Sequence, residues 1–180
     1  MKLETKTKAK IRRLNFVLEF GGGYGNMCKL FKQFKFKGKY VIFDLPCFCT
    51  LQKYYLKSHG YKILGFNDFL ESKTGITCIS DYEELKIILK KNHFRENCLF
   101  VAMWSISEAP INLRKKILTL LGNFSFFLIA FQKEFEKIDN LRYFRKIQKE
   151  FKGVKWNEIV IKKPRRNYYL IGEHKITKPS

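Results

Sequence analysis

The chain has 180 residues, enough for one domain with a full core, and its 46% hydrophobic content is ordinary for a globular protein. No apolar run reaches the roughly 18 residues of a membrane span, and the basic start "MKLETKTKAKIRRLNF" lacks a signal-peptide core, so no membrane insertion and a cytoplasmic location are expected. The net charge of +20 permits a polyanionic partner, but Lys outnumbers Arg 28 to 8 and Ala occurs only four times, a pattern of A/T-rich coding that raises Lys whatever the partner.

Residues 1–15 are polar and basic and read as an N-terminal arm, either flexible or a frayed helix, ahead of one domain spanning 16–180. "FVLEF" (16–20) is a short apolar strand, residues 24–34 a helix, and "YVIFDL" (40–45) a second strand. Pro46 and Gly60 mark the two ends of a following helix. "YKILGF" and "ITCIS" read as short strands. "SDYEELKIILKKN" opens with a capping-box pattern from Ser80 to Glu83. "CLFVAMW" (98–104) is a strand, "SEAPINLRKKILTLL" a helix, "FFLIAF" (126–131) a strand and residues 140–151 a helix. "WNEIVIKK" and "NYYLIGEHK" are joined by the turn-like "PRRN".

Strands alternating with helices predict an α/β fold, a mostly parallel sheet with helices on both faces. The last two strands have too short a join for a parallel crossover and should form an antiparallel hairpin. The five cysteines, Cys28, Cys47, Cys49, Cys78 and Cys98, show no paired CxxC spacing and read as reduced, mostly buried thiols.

The loop after the first strand, "EFGGGYG", asks for a ligand that approaches bare backbone. A nucleoside triphosphate would need Lys-Ser or Lys-Thr after the glycines, and a dinucleotide GxGxxG pattern fails because Asn26 holds the third position. Glu19, Gly21, Gly23 and Gly25 instead give an E-x-G-x-G-x-G spacing, which resembles the first motif of class I S-adenosylmethionine-dependent methyltransferases. A sulfonium and an ammonium favour a nearby carboxylate such as Glu19 over a lysine. Asp44, ending the second strand, is placed to accept hydrogen bonds from both ribose hydroxyls. For the adenine, Asp81 and Asp68 compete, and Asp81 is preferred because it follows a β-branched run.

Longer stretches, "LEFGGGYG", "DLP" with "LQKYYL", "FVAMWSISEAP", "FLIAFQKEFEKIDNLRYF" and "NYYLIGEH", resemble a bacterial family of sugar O-methyltransferases and cover nearly all of the chain from residue 16. The resemblance implies a Rossmann-like seven-strand sheet, S-adenosylmethionine as donor and a saccharide hydroxyl as acceptor. Such enzymes commonly carry a longer helical region ahead of the glycine loop. An open acceptor site, one completed by a partner, or a shortened relative of weak activity is expected here.

A sugar hydroxyl is a poor nucleophile and benefits from a general base. Glu108, after the fourth strand, is the leading candidate, with Ser105 and Ser107 positioning the acceptor and Trp104 as a flat wall. Alternatively, Ser107 caps the next helix while Glu108 favours its N-terminal dipole. Gln132, Asp139, Asn140 and Tyr143 read as a polar rim for a polyhydroxylated ligand or as surface decoration. His59 and His93 should face solvent; the facing of His174 is open. No cluster has metal-ligand spacing, so a metal-independent site is expected.

Two rivals stand beside this reading. The charge favours a nucleic-acid methyltransferase, yet "MWSISEAP" lacks the [DNS]PP[YFW]-like peptide of enzymes that act on base amino groups. The only Pro-Cys, Pro46-Cys47, follows the second strand, not the fourth, where a pyrimidine-carbon enzyme would need its nucleophile. RNA ribose methylation stays open. The other rival is a catalytically inert binding module. The oligomeric state is not legible.

Overall fold

Phe16–Phe20 (β1) and Lys39–Phe43 (β2) are buried at every residue, the pattern of parallel strands covered on both faces. A computed structural model describes residues 2–91, 96–163 and 166–174. Around β1 and β2 the chain forms α1 (Lys2–Lys6), a 3-10 turn (Ile11–Arg13), α2 (Asn26–Gln33), α3 (Pro46–Ser58), α4 (Phe66–Glu71), β3 (Gly75–Ile79) and α5 (Tyr82–Lys91). Then come β4 (Cys98–Met103), α6 (Ser105–Glu108), α7 (Ile111–Thr119), β5 (Phe126–Gln132), β6 (Glu134–Phe135), β7 (Ile138–Asp139), α8 (Asn140–Glu150), β8 (Val154–Ile161) and β9 (Asn167–His174).

Seven strands form one sheet in the order β3-β2-β1-β4-β5-β9-β8. The pairs from β3 to β5 are parallel, while β9 runs antiparallel to both β5 and β8, as the short join requires. Alternate strand residues point to opposite faces. Phe16, Leu18 and Phe20 pack with Leu85, Ile88, Ile117, Phe144 and Ile147 from α5, α7 and α8. Val17, Tyr40 and Ile42 pack on the other side with Leu3, Cys28, Phe31 and Leu56 from α1, α2 and α3.

Four local expectations need correction, and one element is additional. The basic N-terminal segment takes the helical alternative, as α1, but is packed down instead of frayed, with Leu3, Ala9, Ile11 and Leu14 buried against the sheet. "YKILGF" makes a single bridge, Ile63 to Ile76, and its Phe66 already begins α4. Helix α5 is capped by Asp81, whose Oδ1 accepts from Glu83 N at 2.6 Å and Glu84 N at 3.2 Å, not by Ser80. The helix over "SEAPINLRKKILTLL" is two helices, because Ala109 precedes Pro110 and is forced out of the helical region to φ −72°, ψ 152°. The β6–β7 hairpin was not foreseen; each strand is two residues long, too short for a period to register.

Candidate active site

The carboxyl ends of β1 to β4 open into a cleft of about 530 Å³, lined by Phe20, Gly21, Phe43, Asp44, Leu45, Pro46, Ser80, Tyr82, Ser105, Glu108, Ala109, Pro110 and Leu113. The strand order reverses between β1 and β4, where open α/β sheets take their ligands.

The glycines serve different ends. A Cβ on Gly21 would lie 2.2 Å from Ser105 Cβ, so this glycine lets the ends of β1 and β4 close together. Gly23, at φ +55°, faces open space, with nothing within 4 Å of where a Cβ would lie. Gly25, at φ +97°, caps α2. Below them Glu19 is buried and accepts from the Tyr40 hydroxyl at 2.8 Å. Burial raises its pKa to about 7; the Tyr40 hydrogen bond opposes this and the charge of Asp44 adds to it. Expected to face the ligand, Glu19 instead lies beneath the loop, outside the cleft lining.

Asp44 stands at the mouth of the cleft. Its Oδ1 accepts from Leu45 N at 2.8 Å and its Oδ2 from Gln52 Nε2 at 2.7 Å. Gln52 also donates to Gly23 O at 2.9 Å and so ties the acid to the glycine loop, while its own buried Oε1 has no partner among the described residues. The sequence reading missed Gln52. Its signal was a polar residue at a core position of α3, three after Cys49 and four before Leu56.

Asp81 spends its Oδ1 on the start of α5; it is exposed and outside the cleft lining, while Ser80 and Tyr82 line the cleft on either side of it. Asp68 is exposed in the first turn of α4 and is not part of the lining.

After β4 the chain bends sharply at Trp104, whose φ of +66° is strained for a bulky residue. The indole Nε1 donates to Asn167 Oδ1 at 2.7 Å, tying β4 to β9, and Trp104 is not a wall of the cleft. Ser105 lines the cleft, but its Oγ donates to Phe20 O. Ser107 is buried, with Oγ 2.6 Å from Trp104 O and 2.8 Å from Gln132 Oε1, so it neither caps the next helix nor meets an acceptor.

Glu108 reaches the cleft, with Oε1 accepting from Gln132 Nε2 at 3.1 Å. The expected rim is broken up. Gln132 turns toward Ser107 and Glu108, Asp139 caps α8 through Arg142 N at 2.9 Å, and Asn140 is buried. Tyr143 is half-buried, its hydroxyl without a partner among the described residues.

What organises this corner is Arg114, a residue absent from the sequence-based expectations. It is fully buried and donates to Ala109 O at 2.6 Å, Ser107 O at 2.5 Å and Asn140 Oδ1 at 2.6 Å. Its guanidinium also lies 5.2 Å from the centre of the Tyr143 ring. Both carbonyls that flank Glu108 are therefore pinned by one side chain.

His59 is exposed, with Nδ1 2.9 Å from Tyr55 O and Nε2 3.0 Å from Lys29 Nζ. His93 lies outside the described residues. His174 follows Glu173, which pairs with the first residue of β5, so it sits at the end of the strands opposite the cleft. The cysteines are unpaired; four are buried and Cys47 is exposed. Burial pushes the Cys78 and Cys98 thiols up to about 12. Among the described residues no three His, Cys, Asp or Glu side chains gather as a metal site.

The sequence matches no protein-family model and no curated protein. Three-dimensional similarity is broad. The methyltransferase domain of bacterial CtHen1-CN shares 11% identity at a TM-score of 0.61, over 88% of this chain and 90% of that one. An O-methyltransferase family protein from Burkholderia thailandensis shares 10% at 0.62, over 98% of this chain and 56% of that one. An MtNAS variant in complex with S-adenosylmethionine shares 10% at 0.57, over 97% and 60%. At such identities the likeness defines the fold: this chain has the Rossmann-like architecture of methyltransferases.

Proposed function

We propose that the chain is an S-adenosylmethionine-dependent O-methyltransferase whose acceptor is a hydroxyl of a sugar or glycan. The observation that carries this is the meeting, in one cleft, of a carboxylate held at the end of β2 and a second carboxylate after β4, one of whose oxygens accepts from Gln132. The open space at Gly23 fits a thin amino-acid tail, Asp44 fits a ribose diol, and Phe43, Leu45, Tyr82 and Leu113 supply apolar walls for a base. The donor supplies a methyl group as an electrophile and keeps the electron pair of the broken carbon–sulfur bond. Glu108 accepts the proton that leaves the acceptor oxygen as the new oxygen–carbon bond forms. Gln132 holds one Glu108 oxygen, and Arg114 fixes the backbone on either side, so the base is oriented before the acceptor arrives. The peptides that resemble sugar O-methyltransferases support a saccharide acceptor. The +20 charge favours an RNA ribose as the second reading.

Calorimetric titration with S-adenosylmethionine, followed by labelled-methyl transfer to glycan and RNA panels, tests the proposal. Donor binding with label entering glycan supports it. Label entering RNA alone selects the ribose reading, and no donor binding leaves an inert scaffold.

A further inference from the structure

Eight large hydrophobic side chains are exposed among the described residues, and Tyr24, Leu45, Phe48, Leu51 and Tyr54 gather on the glycine loop and α3. Helix α3 turns Cys49, Gln52 and Leu56 inward, which leaves Phe48 and Leu51, three apart, on an outward stripe that Tyr55, half-buried one turn on, continues toward the core. The Tyr24 ring meets the Tyr55 ring edge-on at 4.9 Å and joins the loop to that stripe. Leu45, 61% exposed, also lines the cleft, so the patch continues into its mouth.

The same stretch is cationic. From Gly21 to Asn67 the sequence carries eight lysines against one acid, Asp44. Lys29 Nζ lies 3.2 Å from the Tyr55 hydroxyl, and Lys53 and Lys57 are exposed on α3. None of these three enters an ion pair among the described residues; those pairs use Lys86, Lys91, Arg145 and Lys146. A/T-rich coding accounts for many lysines, but it does not clear acids from one region while leaving them on α4, α5 and α8.

We propose that this patch docks the protein on an anionic lipid bilayer, with the cleft mouth at the headgroups, so that the acceptor hydroxyl belongs to a saccharide held at that surface. The acceptor half of this statement rests on the proposed methyl transfer; the docking half does not. Apolar side chains enter the interface while lysines meet lipid phosphates, a pairing of terms that neither supplies alone. A second copy of the chain would bring a like-charged patch against this one. A nucleic acid would find rings to stack on but no use for Leu45 and Leu51. No helix of the described residues is long and apolar enough to cross a membrane, so the contact is peripheral and weakens with salt.

Sedimentation with phosphatidylcholine–phosphatidylglycerol vesicles, against phosphatidylcholine alone, tests it. Binding is expected only with the anionic lipid. Leu51→Asp, and Lys53→Glu with Lys57→Glu, should each weaken it about tenfold or more, with melting temperature and donor titration unchanged. Lys115→Glu with Lys116→Glu on α7 should leave it intact. Equal binding to neutral vesicles, or equal weakening by the α7 pair, overturns the proposal. So does a patch variant that dissolves a dimer, or abolishes polyuridine binding, in a protein that never binds vesicles. Vesicle binding without donor binding would defeat the proposed function and leave the docking standing.

Discussion

The Tyr40 hydroxyl donates to the Glu19 carboxyl at 2.8 Å beneath the glycine loop, where both side chains are sealed from solvent. Because burial raises the Glu19 pKa from 4.5 to about 7, the folded protein holds a proton that the unfolded chain releases between these values. The stability contributed by the neutral form is complete below pH 4.5 and is lost as pH rises through 7, roughly 3 kcal/mol in all. Chemical denaturation at pH 5 and pH 8 should show this fall, and Glu19→Gln should flatten it. An equally steep fall in the variant would refute the assignment.

Gly21 and Ser105 compete for the same space. Gly21→Ala adds a Cβ 2.2 Å from Ser105 Cβ at a φ of +68°, and should destabilise by about 2–5 kcal/mol through overpacking and backbone strain together. Adding Ser105→Gly should recover the packing part and leave about 1–2 kcal/mol from the left-handed backbone. Thermal unfolding of the two single variants and the double variant measures both parts.

Asp44 and Gln52 should act as a pair in donor binding. Asp44→Ala removes the ribose acceptor and should abolish binding measurable by calorimetry. Gln52→Leu leaves Asp44 in place but frees it from the glycine loop, and should weaken binding about tenfold, the worth of one charge-assisted hydrogen bond. Equal losses in the two variants would mean that Gln52 touches the donor itself.

Glu108→Ala should keep donor affinity and lose transfer. Gln132→Leu should also keep the donor and lower kcat about tenfold, since it removes orientation rather than the base. Arg114→Ala should cost about 3–5 kcal/mol of stability, because three acceptors lose their donor at once in a buried site. Melting curves separate this variant from the other two, which should unfold like the parent.

Much of the fold was legible because its strands are buried on both faces and so appear as continuous apolar runs, "FFLIAF" without a break and "FVLEF" broken only by Glu19. The order of acid, glycines, helix, strand and second acid likewise placed Asp44 at a cleft. Less was legible after β4. The reading gave Trp104, Ser105, Asp139 and Asn140 to an acceptor, whereas the structure uses them to tie strand ends, cap α8 and receive Arg114.

By itself, then, the sequence determined the parallel sheet, the bare turn after β1 and the carboxylates available near it, because periodicity and backbone permissiveness are local properties. Only the tertiary structure decided which polar groups face the cleft. Glu19 went under the loop, Gln52 and Arg114 became hubs, and Asp81 became a cap, since a buried donor or acceptor must find its partner wherever packing brings one within reach.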